Sequence, residues 1–270
     1  MKLASFTQTY GDQRYLELQL LQYDKIGNAF RNKCDLIVFS FHNCPDSFVA
    51  KSTDLLKTIY PVSKLQILRY NDISYLQSIQ QSIHYLNEKG IDYMLQIQDD
   101  QHGINTMENV HNIQYIDEVF ECLETNQINY LHIFGNEGDK EYNHLKPKSE
   151  ITIGNTTFYR YDSRDFKRTN IYAWNDGTYF AKINFLQSLF HISNLPQDVW
   201  RLELALKSIL EQNEITRWGT NKLFFKASNL HGRNVNRKLT QEENLKRFFG
   251  ELPEWAKVRE LVLLTNFTPL

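Results

Sequence analysis

The sequence predicts an α/β fold, a mostly parallel sheet flanked by helices with a C-terminal helical tail. Three observations lead there. Strand-length apolar runs alternate with helix-patterned segments, giving four strands and three helices in about the first 100 residues. Each of those four runs stops in a polar cluster. Beyond residue 239, two capped amphipathic patterns close the chain.

The elements follow in order. Residues 2–10 read as a strand ending in the turn Thr7-Gln8-Thr9-Tyr10-Gly11, and Asp12 suits a cap for a helix from Arg14 to Lys25. Asp35–Phe41 is a nearly continuous apolar run, as a strand covered on both faces requires. Phe48–Ile59 is helical. Leu65–Arg69 is a third strand, ending in Tyr70-Asn71-Asp72. Ser74–Lys89 carries helical spacing and Gly90 stops it. Tyr93–Gln98 is the fourth strand.

After Gly103 the alternation loosens. Ile113–Thr125 reads as a helix, Tyr130–Phe134 as a strand, and 139–150 as a polar loop. Ile151–Tyr161 alternates around a Gly154-Asn155 turn, and Ile171–Ala181 fits another strand. Helices follow over Asn184–Phe190 and Leu195–Leu210, the latter opened by Pro196, and Leu223–Ala227 reads as a late strand. In the tail, Thr240-Gln-Glu-Glu243 is a capping-box pattern, and Pro253 sits just inside the start of the second helix.

Composition narrows the function. With 41% apolar residues, 23% charged residues and a net charge of −2, the chain lacks the basic excess of a nucleic-acid binder. Its three cysteines show no CxxC spacing and read as reduced thiols, not a disulfide frame or zinc site. No apolar run approaches membrane-span length and no signal peptide opens the chain. A cytosolic protein with at most peripheral membrane contact is the expectation.

The fourth strand carries the strongest chemical signal. Its alternation stops on Asp99-Asp100, followed by His102-Gly103. Adjacent carboxylates at a strand end are costly unless a cation or a donor cluster lies between them. Ligands of open α/β sheets bind at the carboxyl ends of strands. Two hard oxygen ligands there suit Mg²⁺ or Mn²⁺ carrying a substrate diphosphate, and a solvated turn is the plain alternative.

Three stretches, SFTQTYGDQR from Ser5, the strand ending in Asp99-Asp100, and Asp198-Val-Trp-Arg-Leu-Glu203, together resemble the GT-A glycosyltransferases. That nucleotide-sugar-dependent class has a Rossmann-like front half, and residues 1–135 carry the likeness best. The resemblance implies a catalytic domain over 1–238, with a nucleotide-sugar half (1–135) and an acceptor half (136–238), and a packed helical extension over 239–270. The acidic motif of that class is usually Asp-x-Asp; here it is Gln98-Asp99-Asp100-Gln101. In the favoured frame, Gln98-x-Asp100, the resemblance makes Asp100 the metal ligand, Gln98 the replacement of the first acid, and Asp99 a group that reaches the ribose or a second metal position. In the frame Asp99-x-Gln101 the metal-side acid is lost, and a metal-independent enzyme is the alternative.

The same resemblance assigns further positions. Thr7, Thr9 and Tyr10 border the nucleobase and ribose, Asn71 and Asp72 bind the base, and Arg14 and Arg233 balance the diphosphate charge. His231 is an additional metal ligand. Core packing explains Thr7, Thr9 and Tyr10 equally simply, Arg14 also fits a solvated helix position, and Asp72 also suits a cap for the helix near Ser74. Glu203 is the candidate general base and Asp198 its competitor, although a helix start suits Asp198 as a dipole partner. Trp174, Asp176 and Trp200 are assigned to the acceptor. Trp200 and Glu203 are three residues apart on one helix, and an indole beside the carboxylate would raise its proton affinity.

The expected activity is metal-assisted transfer of a sugar, with inversion, from a nucleotide-diphosphate donor to a glycan or lipid-linked acceptor. A UDP-sugar is the favoured donor, and Mn²⁺ or Mg²⁺ the cofactor. The alternatives are a sugar-phosphate nucleotidyltransferase and a non-catalytic nucleotide- or sugar-binding module. Against the first stands the turn TQTYGDQR, whose one glycine and one arginine fall short of a Gly-rich basic triphosphate loop.

Overall fold

Leu3–Thr9 (β1) is buried at every residue and lies in the interior of the sheet. The computed structural model of the chain describes residues 1–9, 25–98, 101–103, 115–133, 145–168, 173–174, 177–222 and 224–227. Around β1 the front half alternates as the sequence predicts. Lys25–Lys33 (α1) leads to Leu36–His42 (β2), Asp46–Ile59 (α2), Leu65–Tyr70 (β3), Tyr75–Glu88 (α3) and Tyr93–Gln96 (β4). The pairs β1–β2, β2–β3 and β1–β4 are all parallel.

Gln101–Gly103 (β5), Ile116–Asn126 (α4) and Tyr130–His132 (β6) come next. The hairpin of Ser149–Ile153 (β7) and Thr156–Asp162 (β8) follows. Then come a 3-10 helix over Ser163–Arg168, Tyr179–Lys182 (β9), Ile183–Phe190 (α5), Val199–Gln212 (α6), Thr216–Thr220 (β10) and Phe225–Ala227 (β11). Nine strands form one sheet in the order β3-β2-β1-β4-β9-β6-β10-β8-β7, and β5 pairs β11 in a separate ribbon. The sheet is parallel through its front half and mixed behind. There β9 runs antiparallel to both β4 and β6, β10 is parallel to β6, and β8 is antiparallel to β10 and to β7. Seven strands (β1, β2, β3, β4, β6, β10 and the outermost β7) therefore end on one edge.

Alternation along the strands sends side chains into two main cores. Ala4, Phe6, Met94, Tyr130 and Ala181 face α3, α5 and α6 through Ile79, Ile83, Leu186, Leu202 and Leu206. Leu3, Leu95, Leu131, Phe180 and Trp218 face α1 and α4 through Ile26, Phe30, Val119 and Leu123. A third cluster seats Phe48 and Leu56 of α2 on Ile37, Phe39 and Phe41. Cys34, Cys44 and Cys122 are all buried and free, and burial pushes the Cys34 and Cys122 thiols up to about 12. Both thiols should resist iodoacetamide at pH 8 in the folded protein and react once denaturant exposes them, as intact-mass measurement would show.

Several elements differ from the sequence expectation. The helix expected over Arg14–Lys25 falls mostly outside the described residues, while α1 occupies 25–33 with only Ile26, Ala29 and Phe30 as its apolar contribution. The 139–150 loop gives way to β7 from Ser149, whose exposed Ser149 and Glu150 suit an outermost strand. Of the strand expected over Ile171–Ala181, the described residues show Tyr179–Lys182. β10 was not anticipated, because TRWGT carries a buried arginine and no apolar alternation. His102-Gly103, read as a turn, belongs to β5. The tail over 239–270 lies outside the described residues.

α6 starts at Val199, three residues after Pro196. The Asp198 carboxylate accepts from the Arg201 N–H at 2.9 Å and closes the helix N-terminus. Asp198→Ala should cost about 0.5–2 kcal/mol, the usual loss for such a cap. Differential scanning calorimetry would read this as a fall in Tm of a few degrees, at about 2–4 °C per kcal/mol for a chain of this size.

Candidate active site

The edge where these strands end is where an open α/β sheet takes its ligand. At its β1 corner Thr7 and Thr9 are both buried. Arg31 of α1 is fully buried beside them, its Nη2 donating to Thr7 Oγ1 at 3.4 Å and its guanidinium lying 5.7 Å from the Phe39 ring centre. The hydroxyls of Thr7 and Thr9 thus sit on the sheet face that carries this cation.

At the β3 end, Asn71 and Asp72 are exposed. Asp72 adopts a left-handed φ of 57°, and its N–H donates to Asn43 Oδ1 at 3.0 Å, tying the turns after β2 and β3 together. Its expected alternative role as a helix cap is corrected. Ser74 caps α3, accepting from the Gln77 N–H, while Gln77 Oε1 accepts from the Ser74 N–H.

β4 ends at Gln96, and Gln98, two residues on, is partly buried. The chain then passes through Asp99 and Asp100 into β5, which pairs with β11 antiparallel in the register Gln101↔Ala227. Asp99, Asp100, Tyr10, Arg14, Asp176, His231 and Arg233 lie outside the described residues. Among the described residues no group of three or more His, Cys, Asp or Glu is placed to hold a metal.

The centre of the edge carries a polar row on one sheet face. Gln96, Tyr179 and His132 are direct neighbours across β4, β9 and β6. Arg217 of β10, fully buried, donates from Nη2 to His132 Nδ1 at 3.0 Å and lies 4.7 Å from the Phe166 ring centre. A guanidinium can only donate, so Nδ1 is the acceptor and the neutral imidazole carries its proton on Nε2.

Above this row lies a small cavity between β4, β9 and α6. Tyr75, Ile79, Gln96, Trp174, Tyr179, Phe190, Val199, Leu202, Glu203 and Leu206 surround it. Glu203 reaches it because α6 buries the stripe Leu202, Leu206 and Leu210, and Glu203 sits on the shoulder of that stripe. Trp174 is buried, stacked on Tyr130 with centroids 5.1 Å apart and an interplanar angle of 20°, with the Phe190 edge 6.0 Å away.

The structure corrects the indole expected beside Glu203. Trp200 is 61% exposed and takes no part in the cavity, because it lies about 160° around the helix from Leu202. Trp174 is the indole that shares the cavity with Glu203. Gln96, Tyr75 and Arg31 were not singled out from the sequence. Gln96 looked like one step of a strand alternation, and a polar side chain at the last position of a buried strand was its only signal.

No family description and no curated protein sequence matches the chain. Solved structures do. S. aureus TarS 1–349 in complex with UDP-GlcNAc superposes with a TM-score of 0.56 at 11% identity, over 98% of this chain and 72% of that one. A further TarS 1–349 structure gives a TM-score of 0.53 at 10% identity, and there the chain spans 60% of that fragment. The mannosyltransferase PcManGT from Pyrobaculum calidifontis, in complex with GDP-Man and Mn²⁺, gives 0.53 at 11% identity over 86% of this chain and 58% of that one.

Proposed function

We propose that this chain, whose fold is the Rossmann-like GT-A fold, is a glycosyltransferase that moves a sugar from a nucleotide-diphosphate donor to a glycan or lipid-linked acceptor. One observation carries the reading. The middle of that edge holds β4, whose last residue, Gln96, lines the cavity that Glu203 reaches from α6, and Gln98-Asp99-Asp100 follows Gln96 closely in sequence. This supports a carboxylate pair for a metal-diphosphate and a carboxylate for an acceptor serving one site. The folds of TarS and PcManGT, solved with UDP-GlcNAc and GDP-Man, support a nucleotide sugar as the ligand, with a UDP-sugar favoured.

In this reading Glu203 takes the proton of an acceptor hydroxyl. The hydroxyl oxygen bonds to the anomeric carbon while the bond from that carbon to the β-phosphate oxygen breaks. The nucleoside diphosphate leaves from the opposite face, so configuration inverts. Asp100, with Asp99 and His231, would hold Mn²⁺ or Mg²⁺, which when bound offsets charge gathering on the departing diphosphate. The β5–β11 ribbon supports this set. Asp100 directly precedes Gln101, which pairs with Ala227, and His231 is within about 14 Å of Ala227 by chain length alone. Thr7, Thr9, Tyr10, Asn71 and Asp72 would take the nucleoside, Arg14 and Arg233 the diphosphate. Trp174 and Asp176 would shape the acceptor side.

A panel of UDP- and GDP-sugars, each with Mg²⁺ or Mn²⁺, tests the reading through release of the nucleoside diphosphate. At least one sugar should turn over. Silence across the panel, together with no calorimetric binding of UDP or GDP, would sink it.

A further inference from the structure

Gln96 is 96% buried at the carboxyl end of β4, yet its Oε1 has no hydrogen-bonding partner among the described residues. Leaving a buried carboxamide oxygen unpaired costs about 1–3 kcal/mol, so such a group is usually satisfied by something further. The carboxamide borders the same cavity as Glu203, a space of about 20 Å³. A buried water needs roughly 10–15 Å³ on this measure and two to four polar partners. The cavity therefore has room for one. Most of its wall is apolar, including Ile79, Trp174, Phe190, Leu202 and Leu206. Its polar components are the Gln96 amide, the Glu203 carboxylate and the phenols of Tyr75 and Tyr179.

We propose that one water molecule occupies this cavity, hydrogen-bonded to both the Gln96 carboxamide and the Glu203 carboxylate, which makes Gln96 a positioning residue for Glu203. The water donates one proton to the carboxylate and the other to the amide oxygen. This arrangement satisfies Gln96 Oε1 and holds Glu203 in one rotamer. β4 supplies a stiff anchor, because it is paired on both sides, to β1 and β9. The catalytic consequence rests on the reading of Glu203 as general base; the water itself does not.

Two measurements test it. Crystal structures of the full chain at about 1.5 Å, as wild type and as Gln96→Met, should show water density between Gln96 and Glu203 in the first and none in the second. Methionine keeps the length and removes both amide groups, and Gln96→Leu serves as a second apolar variant. Each should leave Tm close to the wild-type value, since the apolar side chain removes the buried oxygen together with the water that paired with it. A dry cavity in the wild type, or a water that does not reach Glu203, overturns the proposal.

The second measurement uses any nucleotide sugar that the wild type turns over. Gln96→Met should lower kcat about tenfold, the scale of one hydrogen bond to a charged group, with KM for the nucleotide sugar unchanged. The double variant Gln96→Met/Glu203→Gln should be no slower than Glu203→Gln alone, because Gln96 acts only through that carboxylate. Additive losses, or a normal kcat in Gln96→Met, overturn the positioning role. If Glu203→Gln itself turns over normally while the bridging water is present, the base assignment fails and the water site stands.

Discussion

Glu203→Gln is expected to slow sugar transfer by on the order of 10²–10⁴-fold, the usual range for removing a general base. Glutamine keeps the size of the side chain and can still hydrogen-bond, but it cannot accept the acceptor's proton. Donor affinity should stay within a few-fold, because in the proposed reading Glu203, which lines the cavity from α6, acts on the acceptor and not on the donor. Initial rates of nucleoside-diphosphate release, with calorimetry using the nucleoside diphosphate and metal, separate the two quantities. Asp198 is the competing base, and its carboxylate is engaged on the Arg201 N–H as the α6 cap. If Glu203→Gln transfers normally and Asp198→Asn loses transfer with the fold intact, the base is Asp198. If neither matters and the product retains the donor's anomeric configuration, the inverting mechanism is wrong.

The front half of the fold was legible because each strand there is a continuous apolar run bounded by a helix pattern. β1, β2 and β4 are covered on both faces, which favours apolar or small side chains, and the larger polar exceptions Gln8, His42 and Gln96 fall at or near their carboxyl ends. Helical spacing from Ser74 and the stop at Gly90 marked α3 to within a residue or two, although the sequence offered Asp72 and not Ser74 as its cap. The back half was harder to read for a physical reason. Its strands are short, and their partners are distant in sequence: β9 inserts between β4 and β6, and β10 between β6 and β8. β10 also carries Arg217, whose burial is made tolerable by His132 and the Phe166 ring, neither of which is near it in sequence. Local pattern cannot announce such a strand.

The candidate site divides in the same way. Glu203 stood out through the resemblance and its place three residues after Trp200, and the structure sets it on the shoulder of the apolar stripe of α6. Trp174 stood out as a turn residue, although its stacking on Tyr130 makes it equally a core residue. Gln96 did not stand out, since its significance comes from an unpaired oxygen and a shared cavity, both properties of the assembled fold. The expectation that Trp200 would line the cleft failed on helix geometry, because proximity on the wheel to Glu203 is not proximity to the Leu202–Leu206–Leu210 stripe.

Asp100→Ala is expected to abolish transfer and leave the fold intact. β4 is complete by Gln96, and Leu95 and Ile97 provide its burial, so the fold does not depend on a carboxylate at position 100. What Asp100 can supply is charge, at the point where the chain passes from the centre of the edge into the β5–β11 ribbon. A hard carboxylate there suits Mg²⁺ or Mn²⁺ bound with a diphosphate. Asp99→Ala should weaken nucleotide-sugar binding more than metal binding, because its neighbour retains the principal ligand position. Circular dichroism and Tm should match the wild type in both variants, and nucleoside-diphosphate release reports the loss. Wild-type turnover should also collapse in excess EDTA and return with added Mn²⁺. Full activity in Asp100→Ala, or undiminished wild-type turnover in the chelator, would remove the metal from the mechanism and leave the diphosphate charge to Arg14, Arg233 and the strand-end donors.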